Sequence, residues 1–444
     1  MSSFERLFNP RSIALIGASR DETKLGGMIL KNLLRFGGKV YPVNPKYREL
    51  MGLKAYSSAR DIPGEVDFAI IMRPAPEVPA ILRELEGKTR CAVVMSSGFA
   101  EIGEAELQDE VKKVSAEEGI RVLGPNCMGI YNPYRRLDTF FLPHERLKRP
   151  GKGNVGIISQ SGAILSCLLS AARASRTGVS KVVGYGNALD IDESELYDYL
   201  ADDADTGVVV SYIESVGDGR RFLEKARMLS EKKPLIILKS GKGESGQTAA
   251  FSHTGRLAGR YEVFHSLLRR YGIREALDFD SLMDATKALS YQKTGSGSRV
   301  CIVTNGGGSG VLAADECMRQ GLEVPALSQQ AREKLGRIFP HFYGINNPVD
   351  LTAQVSDADY ATALCELRDD YDGFLIIALP NVMGITEGLA EKLKTAKSSL
   401  NKPLVGYISE GSISGRLTGL IEKARIPVYS SPERAVRALK ALLE

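Results

Sequence analysis

Short runs of β-branched and other apolar residues alternate with longer amphipathic stretches along the whole chain. The runs lie at 12–18, 66–72, 154–159, 299–304 and 373–378. Runs of this kind are typical of strands buried on both faces, and their alternation with helical stretches is typical of parallel, doubly wound sheets. The sequence therefore predicts an α/β fold built from three doubly wound parallel-sheet units.

Two stretches of different composition separate the three units. Residues 131–153 are rich in basic residues and proline, and residues 293–298 read Lys-Thr-Gly-Ser-Gly-Ser. Compositions of this kind are typical of linkers. We therefore predict domains at 1–130, 154–292 and 299–444. For 131–153, a phosphate-attracting patch is the alternative to a linker.

Composition excludes several classes of protein. Of the 444 residues, 43% are hydrophobic and 25% are charged, and no apolar run approaches the roughly 18 residues that cross a bilayer. We expect neither disorder nor a membrane partner, and the net charge of +4 is too small to favour nucleic acid. The six cysteines lie far apart without a Cys-x-x-Cys pair, which indicates reduced thiols and no metal site. The N-terminus carries no export signal, so we expect a cytoplasmic protein.

The first glycine turn indicates a ligand with phosphate groups. Gly17 follows the first strand, so the amides of this turn face the edge of the sheet where nucleotides commonly bind. The turn lacks the full G-x-G-x-x-G pattern, and no acidic residue ends the second strand, which disfavours a dinucleotide. A phosphorylated ribose would suit Arg20, Lys24 or Lys46, although each could equally be a solvated surface charge.

A second strand-to-helix turn carries the sequence Ser159-Gln-Ser-Gly162. The first-turn amides of a helix lack intrahelical partners and the helix dipole is positive there, which favours an anion site. The alternative is plain capping of the helix by Ser159 or Ser161.

Two other glycine-rich turns are weaker candidates. Residues 241–248 have P-loop spacing, but Gln247 stands where a P-loop needs lysine, so we reject an ATP site there. Residues 305–310 follow a strand and look like a phosphate turn. A tight structural connection explains them equally well, and we assign them no chemistry.

Among the four histidines, His253 has the context of a reactive residue. It lies in a run of small residues, and an imidazole with a pKa of about 6.5 is a nucleophile at neutral pH. Glu214 ends a strand of the same unit and could orient the ring. We expect His265 to pack within an amphipathic helix, while His144 and His341 lie beside prolines without further context.

These features together resemble the α subunit of the ADP-forming acyl-CoA synthetases, relatives of succinyl-CoA synthetase. The resemblance covers essentially the whole chain, and the order and spacing of its short motifs make it specific. The motifs are Ile16–Arg20, Val40–Lys46, Gly124–Gly129, Ser159–Gly162, Glu214, Ser252–Gly255, Leu257–Gly259 and Asn347–Asp350. It implies a Rossmann-like CoA-binding domain followed by two flavodoxin-like domains.

The resemblance also implies a CoA site in the first unit. Most of its residues would lie near the nucleotide end of CoA, others in two loops that flank the cleft, and Asn126 at the thiol end. Cys127 is expected to be buried. The implied CoA-binding residues are Gly17, Ser19, Arg20, Lys24, Val43, Asn44, Pro45, Lys46, Pro74, Ser97, Gly98 and Asn126.

The implied reaction makes ATP from an acyl-CoA in separable steps. Phosphate held by Ser159, Gln160, Ser161 and Gly162 attacks the thioester, His253 takes the phosphoryl group from the acyl phosphate, and ADP receives it. Glu214 would hold the far nitrogen of the His253 ring.

A partner completes the implied enzyme. It would be a β subunit with an ATP-grasp domain that binds ADP or ATP with Mg²⁺, most simply in an α2β2 assembly, and the substrate would be an acyl-CoA or a short organic acid. The alternatives are a non-catalytic subunit that senses CoA or acyl-CoA, and an NAD-dependent dehydrogenase on the same fold.

Overall fold

The chain forms two compact units, Met1–Leu277 and Asp278–Glu444. The structure is a computed structural model and describes residues 2–243, 245–246 and 260–444. The first unit contains two large sheets and the second unit contains one. The predicted α/β fold with a doubly wound sheet in each of several units is confirmed.

The first sheet is parallel throughout and has helices between its strands. The strands are β1 Ser12–Ile16, β2 Lys39–Val43, β5 Phe68–Ile71, β6 Cys91–Val94 and β7 Arg121–Leu123, with a small hairpin of β3 Glu49–Leu50 and β4 Leu53–Lys54. The helices are α1 Ser3–Phe8, α2 Leu25–Leu33, α3 Val78–Glu84 and α4 Ala105–Glu117. The strand order is β2-β1-β5-β6-β7. Every residue of β5 and β6 is buried, as expected for strands covered on both faces.

The second sheet has seven strands and is mixed. The strands are β8 Gly129–Asn132, β9 Leu137–Asp138, β10 Lys152–Ser159, β11 Val179–Gly184, β12 Val208–Ile213, β13 Leu235–Lys239 and β14 Arg274–Glu275. The helices are α5 Gly162–Ala174, α6 Glu193–Asp202, α7 Gly219–Lys232 and α8 Tyr261–Arg270. The order is β14-β13-β12-β10-β11-β8-β9, in which β8 and β9 add an antiparallel edge.

The second compact unit contains a five-stranded parallel sheet. The strands are β15 Val300–Thr304, β16 Val349–Asp350, β17 Gly373–Ala378, β18 Leu404–Ile408 and β19 Val428–Tyr429. The helices are α9 Phe279–Tyr291, α10 Gly307–Arg319, α11 Gln329–Ile338, α12 Asp357–Glu366, α13 Leu389–Leu400, α14 Ser414–Lys423 and α15 Pro432–Leu443. The order is β16-β15-β17-β18-β19.

Residues 131–153, expected to be a linker, are folded within the first compact unit and contribute to its second sheet. The end of β8 and all of β9 fall in this range. The Asn132 side chain is buried and donates to the carbonyl of Phe8 at 2.8 Å. Arg149 is also buried, and its Nε lies 3.0 Å from Asp138 Oδ2. The basic stretch is therefore partly neutralised inside the fold, which periodicity could not reveal.

Helix α9 packs within the second compact unit. Its Asp284 accepts from Arg434 Nε at 2.7 Å, and its Lys287 donates to Glu422 and to the carbonyl of Val428. The sequence analysis assigns this helix to the middle domain. The limits of the three domains stay a prediction, and the structure adds that α9 has its ion pairs with α14 and α15.

Candidate active site

A cleft of about 570 Å³ opens where strands of the first sheet end. Three cations, Lys24, Lys46 and Arg73, line it, and no carboxylate does among the residues that the structure describes. Arg73 is also paired with Glu77 outside the lining, at 2.7 Å. A cleft edged by cations alone suits a ligand with several phosphates. The predicted residues that line this cleft are Gly17, Ser19, Lys24, Asn44, Pro45, Lys46, Pro74 and Ser97.

Three predicted residues lie beside the cleft rather than in its wall. The Arg20 guanidinium is stacked over the ring of Tyr47, 5.3 Å from its centroid, and Tyr47 lines the cleft. Val43 is buried, and its carbonyl accepts from the amide of Gly17 at 3.0 Å. Gly98 donates its amide to Glu101 at 2.6 Å.

Gly17 gives the cleft its floor. Its φ is +92°, in the left-handed region, and a Cβ at this position would lie 2.2 Å from the carbonyl oxygen of Met72. Only glycine allows both the turn and this close approach of two backbones. The position of the turn after β1 therefore depends on this residue.

The second predicted turn joins β10 to α5, and its serine side chains have structural partners. Ser159 Oγ donates to the carbonyl of Ser161 at 2.7 Å, and Ser161 Oγ accepts from the amide of Ile164 as the helix cap. The first-turn amides and the positive end of the α5 dipole remain as the features that attract an anion. Ser161 therefore caps the helix, which was the alternative to an anion site, and the helix terminus itself could still attract an anion.

Gln160 fastens this turn to the end of β12. Its side-chain oxygen accepts from the amides of Glu214 and Ser215 at 2.5 and 2.9 Å, and its nitrogen donates to the carbonyl of Ser215 at 2.9 Å. Glu214 itself is buried, with 7% of its surface exposed. The turn that would hold phosphate and the carboxylate that would serve His253 are therefore fixed to each other. The role of Gln160 as a phosphate ligand stays a prediction.

Lys239, the last residue of β13, also contacts Glu214. Its Nζ donates to the carbonyl of Glu214 at 2.6 Å and to that of Ser240 at 2.5 Å. Burial lowers the pKa of Lys239 to about 8, against the opposing influence of the Glu214 and Glu275 charges. An amine of this kind, buried beside Glu214, was not among the residues singled out from the sequence.

A second cavity, of about 430 Å³, continues from the cleft towards α5. It shares Leu25, Met72 and Ser97 with the cleft, and its far wall is the first turn of α5. Asn126, expected at the thiol end of CoA, lines this second cavity. The backbone nitrogen of Asn126 donates to the carbonyl of Ser96 at 2.9 Å. The two cavities together lead from Lys46 to the helix terminus.

Cys127, next to Asn126, is buried as expected. Its Sγ lies 3.3 Å from the carbonyl oxygen of Val94, and burial raises the pKa of the thiol to about 12. A thiol held neutral in this way packs as a small apolar group.

Two histidines were given roles from the sequence, His253 and His265. His253 lies outside the described residues. The side chain of His265, expected to pack within an amphipathic helix, is 45% exposed and pairs through Nδ1 with Glu275 at 2.5 Å. Its ring also lies beside that of Tyr261, with the centroids 5.9 Å apart. Helix α8 buries Leu268, three residues further along. The amphipathic pattern is present, and His265 is half-buried at the edge of its apolar side.

Within the described part of the chain, no group of three or more His, Cys, Asp or Glu side chains could hold a metal ion. No helix described there combines the length and the apolar character that crossing a bilayer requires.

Several residues of the two cavities were missed from the sequence. They come from loops without a motif and from strand ends, so their positions depend on the tertiary fold alone. They are Tyr47, Met95, Phe141 and Leu142.

Three family models match successive parts of the chain. They are a CoA binding domain over residues 11–133, a succinyl-CoA ligase like flavodoxin domain over residues 152–289, and a ligase-CoA domain over residues 300–404. The first contains the cationic cleft and the second contains the turn at the start of α5.

Two relatives match nearly the whole chain. The alpha subunit of acetate–CoA ligase [ADP-forming] II from Pyrococcus furiosus is 38% identical over 98% of this chain and 96% of its own length. Acetate–CoA ligase [ADP-forming] from Methanocaldococcus jannaschii is 40% identical over 98% of this chain. The chain spans 62% of the length of that second relative.

A solved structure has the same fold. It is the dinucleotide forming acetyl-coenzyme A synthetase 1 of Ca. Korarchaeum cryptofilum, in complex with phosphate and ADP. The TM-score is 0.92 and the identity is 36%, over 99% of this chain and 96% of the other.

Proposed function

This chain belongs to the family of ADP-forming acetate–CoA ligases, matching their α subunit, and we propose that it interconverts an acyl-CoA, ADP and phosphate with a carboxylic acid, CoA and ATP. The relatives are named as ligases, which does not favour the non-catalytic alternative of a CoA-sensing subunit.

One observation carries the proposal. The cationic cleft and the second cavity share lining residues, and the second cavity ends at Ser161 and Gly162. A CoA thioester with its nucleotide end beside Lys46 would have its reactive carbonyl near the start of α5. Phosphate at that helix terminus would be favoured by the dipole and by the first-turn amides other than that of Ile164, which Ser161 caps.

The first step joins phosphate to the acyl group. A phosphate oxygen attacks the thioester carbonyl, the C–S bond breaks, and CoA leaves as the thiolate that takes up a proton. The acyl phosphate stays at the turn, where the positive end of α5 stabilises the developing charge. Gln160 acts as a positioning residue because it keeps this turn and Glu214 in register.

The second step moves the phosphoryl group to His253. The ring nitrogen attacks phosphorus, the bond to the acyl oxygen breaks, and the carboxylate leaves. Glu214 accepts a hydrogen bond from the other ring nitrogen, which fixes the tautomer and stabilises the charged phosphohistidine. ADP then receives the phosphoryl group and becomes ATP. Each step is reversible.

A partner subunit supplies the nucleotide site in this proposal. It would be a β subunit with an ATP-grasp domain, which binds ADP or ATP with Mg²⁺ in an α2β2 assembly. The Pyrococcus relative is named as an alpha subunit, and the Methanocaldococcus relative extends beyond the matched region. We place the enzyme in the cytoplasm, because all six cysteines are free thiols.

The test measures ATP formation and the phosphate on His253. The chain is combined with its β subunit, ADP, phosphate and an acyl-CoA, and ATP formation is followed with the wild type, His253→Ala and His265→Ala. We expect ATP from the wild type and from His265→Ala only, with an acid-labile phosphate found on His253 by mass spectrometry. Undiminished ATP formation by His253→Ala would remove the phosphohistidine step. CoA binding without any phosphate on His253 would instead indicate the sensing subunit.

A further inference from the structure

A third cavity, of about 910 Å³, lies where the strands of the first sheet begin, at the opposite end from the cationic cleft. Arg11 immediately precedes β1 and Lys39 begins β2, and the amide of Lys39 donates to the carbonyl of Arg11 at 2.8 Å. The turn of the β8–β9 hairpin forms another part of the wall through Tyr134, Arg135 and Arg136. We call this space the basic cavity. All of its lining residues belong to the first compact unit.

Positive charge dominates the wall of the basic cavity. The wall has four exposed cations, which are Arg11, Lys39, Arg135 and Arg136. The one carboxylate in its described wall, that of Glu65, lies 3.9 Å from the guanidinium of Arg6, which is outside the wall. The neighbouring Asp67 accepts from the backbone amide of Arg11 at 2.7 Å. Among the residues that the structure describes, none of the four cations forms an ion pair with a carboxylate. Their charge therefore remains available to a ligand.

Hydrogen bonds hold the hairpin turn beside the segment that leads into β1. Arg135 Nε donates to the side-chain oxygen of Asn9 at 2.8 Å, two residues before Arg11. Within the turn, the amide of Tyr134 donates to the side-chain oxygen of the buried Asn132 at 2.9 Å. The backbone that carries the cations is thus already fixed, so a ligand would need to order only their side chains.

Three aromatic rings share the wall with the cations. Phe36 is buried, Tyr41 is half-buried and Tyr134 is 39% exposed. Tyr134 therefore presents the most ring surface to a ligand. The ammonium group of Lys152 lies 5.3 Å from the centroid of this ring. A planar base can stack on such a ring.

The chemistry of this wall points to one class of ligand. Three of the four cations are arginines, whose planar guanidinium group matches phosphate through paired hydrogen bonds. Four cations against one carboxylate suit several negative charges rather than one. The volume lies within the roughly 300–1,000 Å³ of pockets that enclose small molecules. A nucleoside polyphosphate combines a chain of phosphates with a planar ring, and so uses both features of the wall.

We propose that the basic cavity binds a nucleoside polyphosphate, with its phosphates on the four cations and its base against Tyr134. The site is separate from the cationic cleft and from the nucleotide site that a partner subunit would supply. Arg135 and Arg136 belong to the basic stretch for which a phosphate-attracting patch was the alternative to a linker.

The experiment measures binding of ATP to the full 444-residue chain by titration calorimetry. Saturating CoA is present to occupy the cationic cleft, and Mg²⁺ is left out so that the phosphates keep their full charge. We expect one ATP to bind per chain. Tripolyphosphate lacks the base and should bind at least about fivefold more weakly, and adenosine lacks the phosphates and should not bind measurably.

Arg136→Gly removes one cation and preserves the turn. Arg136 has a φ of +53°, in the left-handed region that favours glycine, so this variant should unfold at no lower temperature than the wild type. Its affinity for ATP should fall at least about tenfold, because a charged hydrogen-bonding partner of the phosphates is lost. Arg176→Gly is the matched control. Arg176 is also exposed, has a φ of +56° and lies outside the wall of the basic cavity, so that variant should bind ATP like the wild type.

Two further variants separate the ring from the charges and the basic cavity from the cleft. Tyr134→Leu should weaken ATP at least about threefold and leave the affinity for tripolyphosphate unchanged, because only the stacking surface is lost. Lys46→Gln alters the cationic cleft and should leave the affinity for ATP unchanged.

Three results would overturn the proposal. Loss of ATP binding in the presence of CoA, or in Lys46→Gln, would place the nucleotide in the cationic cleft. Wild-type affinity for ATP in Arg136→Gly would show that the basic cavity does not hold the phosphates. Equal affinity for ATP and tripolyphosphate would show that the base makes no contact.

Discussion

Gln160 Oε1 lies 2.5 Å from the backbone nitrogen of Glu214. Gln160 lies in the turn predicted to bind an anion, and Glu214 is the predicted carboxylate. This hydrogen bond joins them although they follow different strands. The same side chain also bonds both the amide and the carbonyl of Ser215. The Gln160 side chain thus joins the backbone at the end of β12 to the turn at the start of α5, and Lys239 holds the Glu214 carbonyl from the end of β13.

Removal of this amide should impair both stability and turnover. In Gln160→Leu, the buried amides of Glu214 and Ser215 lose their acceptor, which costs about 2 kcal/mol in the free energy of unfolding. Because the bonds that join Glu214 and Ser215 to the turn at the start of α5 are then lost, we expect kcat to fall by at least about tenfold, with KM for CoA unchanged within twofold. Urea unfolding and steady-state kinetics measure the two effects. Gln329→Leu, on the exposed face of α11, is the control, and an equal loss in that variant would contradict the argument.

Lys239 should give the protein a distinctive stability profile at alkaline pH. Burial lowers the pKa of its amine from 10.5 to about 8 in the folded chain. Between these two pH values Lys239 binds its proton more fully in the unfolded chain than in the folded chain, so its contribution to the free energy of unfolding should rise with pH through this window. Burial also lowers the pKa of Lys397 to about 8, so the test is the difference between variants: the gap in the free energy of unfolding between wild type and Lys239→Met should grow with pH, whereas the exposed Lys113→Met should follow the wild type. Denaturant titrations at several pH values between about 7 and 11 test this, and a parallel profile for wild type and Lys239→Met would refute it.

Lys46 should distinguish CoA from its dephosphorylated form. It lines the cationic cleft and is exposed there. If it faces the 3′-phosphate, as the family resemblance implies, Lys46→Gln loses a charge-assisted hydrogen bond and CoA should bind about tenfold more weakly. Dephospho-CoA should bind with unchanged affinity. Calorimetry with both ligands decides the matter, with Lys113→Gln as the control; equal weakening for the two ligands would exclude this contact.

Gly17 should not tolerate even a methyl group. In Gly17→Ala the residue would keep a positive φ and its Cβ would meet the Met72 carbonyl, so the turn must move. We expect a loss of at least about 1 kcal/mol in the free energy of unfolding and at least about tenfold in CoA affinity. Gly37→Ala is the matched control, because nothing lies within 4 Å of a Cβ there. Wild-type CoA binding by Gly17→Ala would show that the turn does not form the floor of the site.

Arg149 should contribute strongly to stability despite lying in a basic stretch. It pairs with Asp138 inside the fold, so Arg149→Met leaves this buried carboxylate with only the Phe140 amide at 3.1 Å and His144 Nε2 at 3.5 Å, and should cost about 3 kcal/mol. The nearby Arg146 is exposed, and Arg146→Met should change the free energy of unfolding by less than about 0.5 kcal/mol. Chemical unfolding of the two variants gives the comparison. Similar losses in the two variants would mean that the Arg149–Asp138 pair contributes no more to stability than an exposed arginine does.

The strands could be predicted from sequence because their residues are buried on both faces and form unbroken apolar runs. The turn at Gly17 could be predicted because this glycine directly follows the first of these runs. The contact between Gln160 and Glu214 could not, since the two are 54 residues apart and no periodicity connects them. Phe141 was missed because its segment has no regular pattern. The neighbouring carbonyls of Phe140 and Leu142 accept hydrogen bonds from Asn32 and Arg149. Asn32 is distant in sequence, and Arg149 lies in a basic stretch that resembles an exposed loop.

The strand Gly129–Asn132 limits where this chain could be divided into separate fragments. It follows directly on the turn that carries Asn126, yet its ladder partner is Val179–Gly184 of the next sheet. A fragment cut at residue 130 would divide this strand and expose an unpaired edge. Grafting the cationic cleft onto another scaffold would therefore require β8, β9 and the neighbouring strand β11 to be transplanted with it.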